Sequence, residues 1–221
     1  MTLSRIVPGA MLLAFPLLGH AQSPAPRFYV GLAAYHSNYQ NLGSWRQSDT
    51  GFRVPVQLTA GYQLRPRLAL ELSGAYSGRT GTYAYDATFY SGGTAYYSQY
   101  SDTFTERITS VSALARYTLT RQLAHRLQLD VLGGFTLVHS QHYSRGFQSD
   151  DLSGTIQTTS FSTHYSGNTS LLTAGLGLRY RLTPRFELNF DLATNHSLNN
   201  STAQPGFTGS SALGLRYRFG K

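Results

Sequence analysis

The chain of 221 residues has no cysteine, a single lysine at its last position and only 13% charged residues. Without cysteine, neither disulfides nor thiolate metal sites are available, so hydrogen bonding and packing must hold the fold together. No interior stretch of proline, serine or charge is long enough to separate two domains, and we therefore expect one folding unit.

Glycine and aromatic residues are abundant instead, with 22 Gly, 16 Tyr and 12 Phe. This composition favours strands, turns and aromatic surfaces over helices. The formal net charge of +8 comes almost entirely from arginine. The arginines recur singly, at strand ends and at alternate strand positions, which indicates turns and a polar interior rather than a nucleic-acid surface.

The N-terminus is typical of an export signal. Arg5 provides a positive charge, Ile6 to Leu18 is mostly apolar, and Ala21 is a small residue suited to cleavage. The apolar run is shorter than the about 20 residues of a membrane-spanning helix. We predict a signal peptide at residues 1–21, a short linker at 22–26 and a barrel at 27–221.

After the linker, runs of alternating apolar and polar residues recur, each about as long as a tilted strand that crosses a bilayer. We predict eight strands: Phe28 to His36, Val54 to Leu64, Leu68 to Ser77, Glu106 to Leu119, Leu127 to His139, Ser170 to Leu182, Phe186 to His196 and Thr208 to Phe219.

The breaks between these runs are short and long in turn. The short ones are Arg65-Pro66-Arg67, Thr120 to Arg126 and Thr183-Pro184-Arg185. The long ones are Ser37 to Arg53, Gly78 to Thr105, Ser140 to Thr169 and Ser197 to Phe207. This alternation, with an even strand count, is typical of outer-membrane barrels, which have short periplasmic turns and long extracellular loops.

An internal repeat supports equivalent strands. The segment Leu176-Gly177-Leu178-Arg179-Tyr180-Arg181-Leu182 recurs almost unchanged as Leu213-Gly214-Leu215-Arg216-Tyr217-Arg218-Phe219.

Successive side chains of a strand point to opposite faces, which sorts the last three strands cleanly. Their apolar face holds Leu172, Ala174, Leu176, Leu178, Tyr180, Leu182, Phe186, Leu188, Phe190, Leu192, Leu213, Leu215, Tyr217 and Phe219. The predicted inner face carries both charge signs: Arg116, Arg179, Arg181, Arg216 and Arg218, with Glu71, Asp130, Glu187 and Asp191. Buried charges require partners, and eight strands leave room only for side chains, so we expect an ion-paired, filled interior.

Turn positions predict the register of these charges. The turn at Thr183-Pro184-Arg185 predicts two facing pairs, Arg181 with Glu187 and Arg179 with Asn189. Placing Leu119 opposite Leu127 predicts that Arg116 faces Asp130.

Aromatic residues cluster near the predicted periplasmic strand ends, where such rings favour the headgroup level. They are Tyr62, Tyr117, Tyr180, Tyr217 and Phe219.

With these features the chain resembles the small outer-membrane β-barrels of the OmpA-like and OmpX-like type, from about Phe28 onward. Its ending, Gly214-Leu215-Arg216-Tyr217-Arg218-Phe219, is similar to their C-terminal assembly signal, although Gly220 and Lys221 follow it. The resemblance implies an all-β, eight-stranded antiparallel up-and-down transmembrane β-barrel in the cell outer membrane. Its implied partners are outer-membrane lipids, lipopolysaccharide and the barrel-assembly machinery.

Two His-x-Ser triplets, His142-Tyr143-Ser144 and His164-Tyr165-Ser166, resemble an element of lipid A deacylases, in which histidine activates a serine nucleophile. We place both in the third long loop, which argues against that role. His36, His139 and His196 lie at loop ends of separate strands, where surface residues are commoner than metal ligands.

We therefore predict no catalytic, metal or cofactor site and no nucleic-acid partner. The leading hypothesis is a non-enzymatic barrel that displays four surface loops, with an envelope-stabilising or adhesive role. Loops rich in tyrosine and serine suit contact with an extracellular ligand and equally suit plain solvated loops. A lipid A-modifying enzyme, a narrow channel and a soluble lipocalin-like barrel remain open as alternatives.

Overall fold

The computed structural model describes residues 27–40, 50–91, 94–152, 155–198 and 207–219. The predicted signal peptide and linker lie outside these residues. The described chain forms eight strands: β1 Phe28–Ser37, β2 Thr50–Arg65, β3 Leu68–Ser91, β4 Thr94–Thr118, β5 Leu127–Leu152, β6 Thr155–Arg181, β7 Phe186–Ser197 and β8 Phe207–Phe219. Within the ranges given above, the chain has no long apolar helix of the kind that spans a bilayer.

The strands close into a ring in which each pairs antiparallel with the next and β8 pairs with β1. Phe28 of β1 lies opposite Phe219 of β8, and the ladder continues to Ser37 and Ser210. Closure satisfies the backbone groups that an open sheet would leave unpaired at its edges. The predicted eight-stranded up-and-down barrel is confirmed.

Side chains alternate between an apolar exterior and a polar interior, as the sequence pattern predicts. Leucines of β6 to β8 such as Leu176 and Leu213 are about half exposed on the outside, whereas Arg179, Glu187 and Arg216 are buried inside. A soluble protein has the reverse arrangement, with apolar side chains inside and polar ones outside. The distribution seen here suits a barrel wall that faces lipid.

The three short turns lie at one end of the barrel, where β2 meets β3, β4 meets β5 and β6 meets β7. The outward-facing aromatic residues predicted for this end are found there. Tyr62 packs against Phe28 with ring centroids 4.8 Å apart, and Tyr217 packs against Phe186 at 5.1 Å. Tyr117, Tyr180 and Phe219 are exposed at the same end.

Strand length departs most from the prediction. β1, β2, β7 and β8 have 10, 16, 12 and 13 residues, but β3, β4, β5 and β6 have 24, 25, 26 and 27. The predicted loops at Gly78 to Thr105 and Ser140 to Thr169 are wrong, because nearly all of these residues form paired strands. These segments consist largely of aromatic and small polar residues. They therefore lack the apolar residue at every second position that marks the membrane segments.

Candidate functional site

Arg116 is the centre of the barrel interior. Its guanidinium donates to Glu71 of β3 (Nε to Oε1, 2.6 Å), to Asp130 of β5 (Nη1 to Oδ2, 3.0 Å) and to Asp191 of β7 (Nη2 to Oδ2, 2.8 Å). Because β4 and β7 are three strands apart in the ring, the last contact crosses the lumen. The side chain of Arg116 is 2% exposed, so these hydrogen bonds replace its hydration.

The other inner-face charges extend this network. Arg216 of β8 contacts Glu71 across the lumen at 2.8 Å, and it lies 3.4 Å from Asp191 of the adjacent strand. Arg218 donates to Glu187 at 2.8 Å, and Nη2 of Arg179 donates to Asp130 at 2.8 Å. Each of the four predicted carboxylates thus has an arginine partner, which confirms the predicted ion-paired interior.

Gly177 makes the central contact sterically feasible. A Cβ atom at this inner-face position would collide with Nη1 of Arg116 and Oδ1 of Asp191. The absence of a side chain therefore lets Arg116 cross from β4 to Asp191 over the wall of β6.

One of the predicted registers requires correction. The β4–β5 register places Thr118 opposite Asp130 and Arg116 opposite Leu132, two residues from the predicted alignment. Arg116 nevertheless reaches Asp130, because a long guanidinium side chain spans a diagonal neighbour as well as a facing one.

The β6–β7 register is confirmed, with Arg181 opposite Glu187 and Arg179 opposite Asn189. Arg181 and Glu187 face each other in this register, but each contacts a different partner. Arg181 donates to the carbonyl of Leu123 in the short turn at 3.1 Å, and Glu187 is held by Arg218. Arg181 lies at the end of its strand, where a turn carbonyl is within reach.

Above the charged network, polar side chains fill the interior. Gln40, which follows β1, is 1% exposed. It accepts a hydrogen bond from Ser110 Oγ at 2.9 Å and donates to the carbonyl of Ile108 at 3.2 Å. A cavity of about 40 Å³ between Glu71 and Tyr35 has room for only a few water molecules.

Beyond the barrel, the long strands continue as a four-stranded projecting sheet, formed by residues 78–91 of β3, 94–107 of β4, 140–152 of β5 and 155–169 of β6. About 10 residues of tilted strand suffice to cross a bilayer, so half or more of each of these strands extends past it. Among the described residues, β2 pairs with β3 only as far as Thr80 and β7 pairs with β6 only as far as Leu171.

The inner face of the projecting sheet, which continues the lumen face, carries an aromatic ladder consisting of Tyr83, Tyr85, Tyr100 and Phe161. Tyr85 and Tyr100 have ring centroids 5.4 Å apart and planes at 17°, and Tyr100 and Phe161 are 5.6 Å apart at 20°. Tyr83 lies 6.2 Å from Tyr100. Partial desolvation and the nearby Asp102 carboxylate raise the pKa of Tyr100.

Both His-x-Ser triplets lie on strands, which corrects their predicted position in a loop. His142 and Ser144 lie on the inner face of β5, whereas His164 and Ser166 lie on the outer face of β6. Ser144 Oγ donates to Asp102 at 2.7 Å, and His142 Nδ1 lies 3.5 Å from Glu106. The hydroxyl proton of Ser144 thus points to a carboxylate and not to a histidine.

The second triplet is used in packing. The ring of His164 stacks on Tyr143 of β5 at 4.3 Å with planes at 10°. Ser166 lies opposite Gln141.

The three histidines predicted at strand ends lie on β1, β5 and β7, none of which are neighbours. The prediction is wrong for His139, which lies in the middle of β5 because this strand continues to Leu152. His139 contacts Asn168 at 2.7 Å, and His196 packs on Phe207 at 4.6 Å. Within the described ranges, no group of three His, Cys, Asp or Glu residues is close enough to hold a metal ion.

A closed ring of eight strands, an apolar exterior, an ion-paired lumen and aromatic residues at the short-turn end together define a membrane barrel. Residues 9–219 match the model of the outer membrane protein beta-barrel domain family. The chain belongs to this family.

This outer-membrane barrel also has structural neighbours. A major outer membrane protein from Thermus thermophilus shares the fold, with a TM-score of 0.51 and 16% identity over 87% of this chain and 99% of that one. Neisserial surface protein A (0.44, 17%) and the attachment invasion locus protein Ail of Yersinia pestis (0.40, 15%) each match 87% of this chain and 97% of their own. No curated protein matches the chain.

Proposed function

We propose that this outer-membrane barrel is a non-enzymatic surface-recognition protein, exported through a signal peptide at residues 1–21 and adhesive in role. The observation that carries the proposal is the projecting sheet, in which two hairpins continue as hydrogen-bonded strands beyond the membrane. A rigid sheet presents side chains in a fixed arrangement, so a ligand does not have to order a loop when it binds.

The barrel interior supports an anchoring role over transport. Arg116 and Arg216 form ion pairs that cross the lumen and occupy its centre. An eight-stranded barrel has room only for side chains at this level, so a conducting path would require these pairs to break.

The serine geometry supports a role without catalysis. A serine nucleophile needs a histidine that can accept its proton. Ser144 donates to Asp102 instead, and His164 is stacked on Tyr143.

Shortening both hairpins tests recognition directly. In one variant, residues 82–103 and 144–163 are each replaced by an Asn-Gly turn, which suits a two-residue hairpin. Bacteria expressing this variant are expected to adhere to epithelial cells and extracellular matrix only as well as bacteria lacking the protein. Heat-modifiable gel mobility would show that the barrel still folds, and undiminished adherence by the shortened barrel would refute the proposal.

Enzymatic activity is tested separately with Ser144→Ala and Ser166→Ala. Mass spectrometry of lipid A from cells expressing the wild type, each variant or no protein is expected to give the same acyl pattern. An acyl chain lost only when the wild-type serine is present would show that the protein is an enzyme.

A further inference from the structure

We propose that the inner face of the projecting sheet binds neutral saccharide chains, with sugar rings stacked on the aromatic ladder of Tyr83, Tyr85, Tyr100 and Phe161. The inference rests on the proposed function, because it names the ligand class of that recognition surface. Sugars present C–H groups on one ring face and hydroxyls around the rim, so their sites combine flat aromatic rings with hydrogen-bonding oxygens.

The ladder provides the aromatic part of such a site. Its rings come from β3, β4 and β6, and the neighbouring planes of Tyr85, Tyr100 and Phe161 are within 20° of parallel. Tyr83 and Tyr85 are 47% and 38% exposed and thus offer ring surface to a ligand, whereas Tyr100 and Phe161 are half-buried and hold the ladder together by stacking. Aromatic side chains offer large contact areas with few rotatable bonds, which limits the entropy lost on binding.

Gly146 joins the two sides of the ladder. It lies on β5 between Asp102 of β4 and Phe161 of β6. A Cβ atom at this position would collide with the backbone oxygen of Ser101 and would be 2.7 Å from Cζ of Phe161, so a larger residue would disturb both the β4 backbone and the ring. Glycine therefore allows Phe161 to cross over β5 and meet Tyr100, which makes one continuous aromatic surface from separate strands.

Hydroxyl and carboxylate groups flank the rings on the same face. Ser144 Oγ donates to Oδ1 of Asp102 at 2.7 Å, and Ser98 Oγ donates to Oδ1 of Asp150 at 2.6 Å. Both serines are buried, whereas Asp102 and Asp150 are partly exposed. The serine hydroxyls therefore hold the two carboxylates in place, and the carboxylate oxygens are the groups that accept hydrogen bonds from sugar hydroxyls.

Charge selects a neutral chain over a sulfated or phosphorylated one. Asp102, Glu106 and Asp150 are acidic, and Arg79 is paired with Glu106 at 2.7 Å. Among the described inner-face residues beyond Arg79, there is no further arginine or lysine. A polyanion would therefore meet carboxylates without a matching cluster of cations.

Calorimetry with the full-length protein in lipid nanodiscs tests the inference. The probes are neutral hexasaccharides of glucose, galactose, mannose or N-acetylglucosamine, together with a heparin hexasaccharide and an oligolysine peptide. At least one neutral probe is expected to bind. Tyr100→Leu and Phe161→Leu are each expected to weaken its binding about five- to tenfold, the size of a lost aromatic contact.

Two matched variants separate stacking from a folding defect. Tyr100→Phe keeps the ring and is expected to bind within about twofold of the wild type, by the same aromatic contact. Tyr97→Leu removes an exposed tyrosine from the outer face of the same strand and is expected to bind like the wild type. Circular dichroism verifies the strand content of each variant.

Binding of heparin or oligolysine without any neutral probe would overturn the inference, as would equal binding by Tyr100→Leu and the wild type. These results differ from failure of the proposed function. If shortening the hairpins abolishes adherence while the neutral probes do not bind, the sheet recognises a ligand of another class and only the saccharide inference fails.

Discussion

The inner face of β4 has two different chemistries along one strand. Inside the barrel it carries Arg116, which contacts carboxylates from three other strands. In the projecting sheet it carries Tyr100, which stacks on Tyr85 of β3, and Asp102, which accepts a hydrogen bond from Ser144 of β5. In the barrel a far wall supplies partners and excludes water, so charges must pair. Beyond it, only four strands remain hydrogen-bonded among the described residues, and ring stacking and local hydroxyl contacts replace the network.

Removing the central arginine is expected to have the largest effect on stability. Arg116→Met leaves the buried Glu71 and Asp130 and the partly buried Asp191 without their shared partner and is expected to cost about 3–5 kcal/mol of unfolding free energy. Urea titration in detergent micelles measures this cost. Arg107→Met, an exposed position on the same strand, is the matched control and should change little. Equal effects of the two substitutions would remove the distinction between the two regions.

A methyl group at Gly177 is the next largest expected perturbation. Gly177→Ala would push Arg116 away from Asp191 and is expected to cost about 1–3 kcal/mol, as overpacking does in other interiors. Gly133→Ala is the control, since its Cβ would have no neighbour within 4 Å. Comparing the urea midpoints of the two variants tests whether the network is as tightly packed as its geometry indicates, and a stable Gly177→Ala protein would contradict that.

The smallest effect is expected at the charge pair of the projecting sheet. Arg79 and Glu106 are 2.7 Å apart, but each side chain is 32% exposed. Glu106→Gln is therefore expected to cost less than about 1 kcal/mol in the same titration, because solvent screens the pair. A loss as large as that of Arg116→Met would mean that the projecting sheet is as strongly coupled to its charges as the lumen is.

Sequence periodicity predicts the barrel portion well because membrane and lumen impose opposite demands on alternate residues. Leu176 and Arg179 fall on the faces predicted for them, and the β6–β7 register follows from a three-residue turn. The β4–β5 register does not, because the longer turn pairs Leu119 with Leu129 and shifts the alignment by two residues.

The projecting sheet shows where such prediction ends. Outside the membrane no apolar solvent requires an apolar face, so strands such as Thr94 to Thr105 have the composition of a loop. The candidate site depends on contacts between distant strands, above all Phe161 reaching Tyr100 over Gly146. The sequence contains one usable signal for this site: Tyr83 and Tyr85 are two residues apart, so they lie on the same face of their strand.

The amino-acid sequence by itself determined the number of strands, the short-turn end and the inward set of charges, because each follows from local alternation and turn chemistry. Only the tertiary structure decided that Arg116 meets Asp191 and that Arg216 meets Glu71. Those contacts cross the lumen, so they depend on ring closure and on the stagger of strands far apart in sequence.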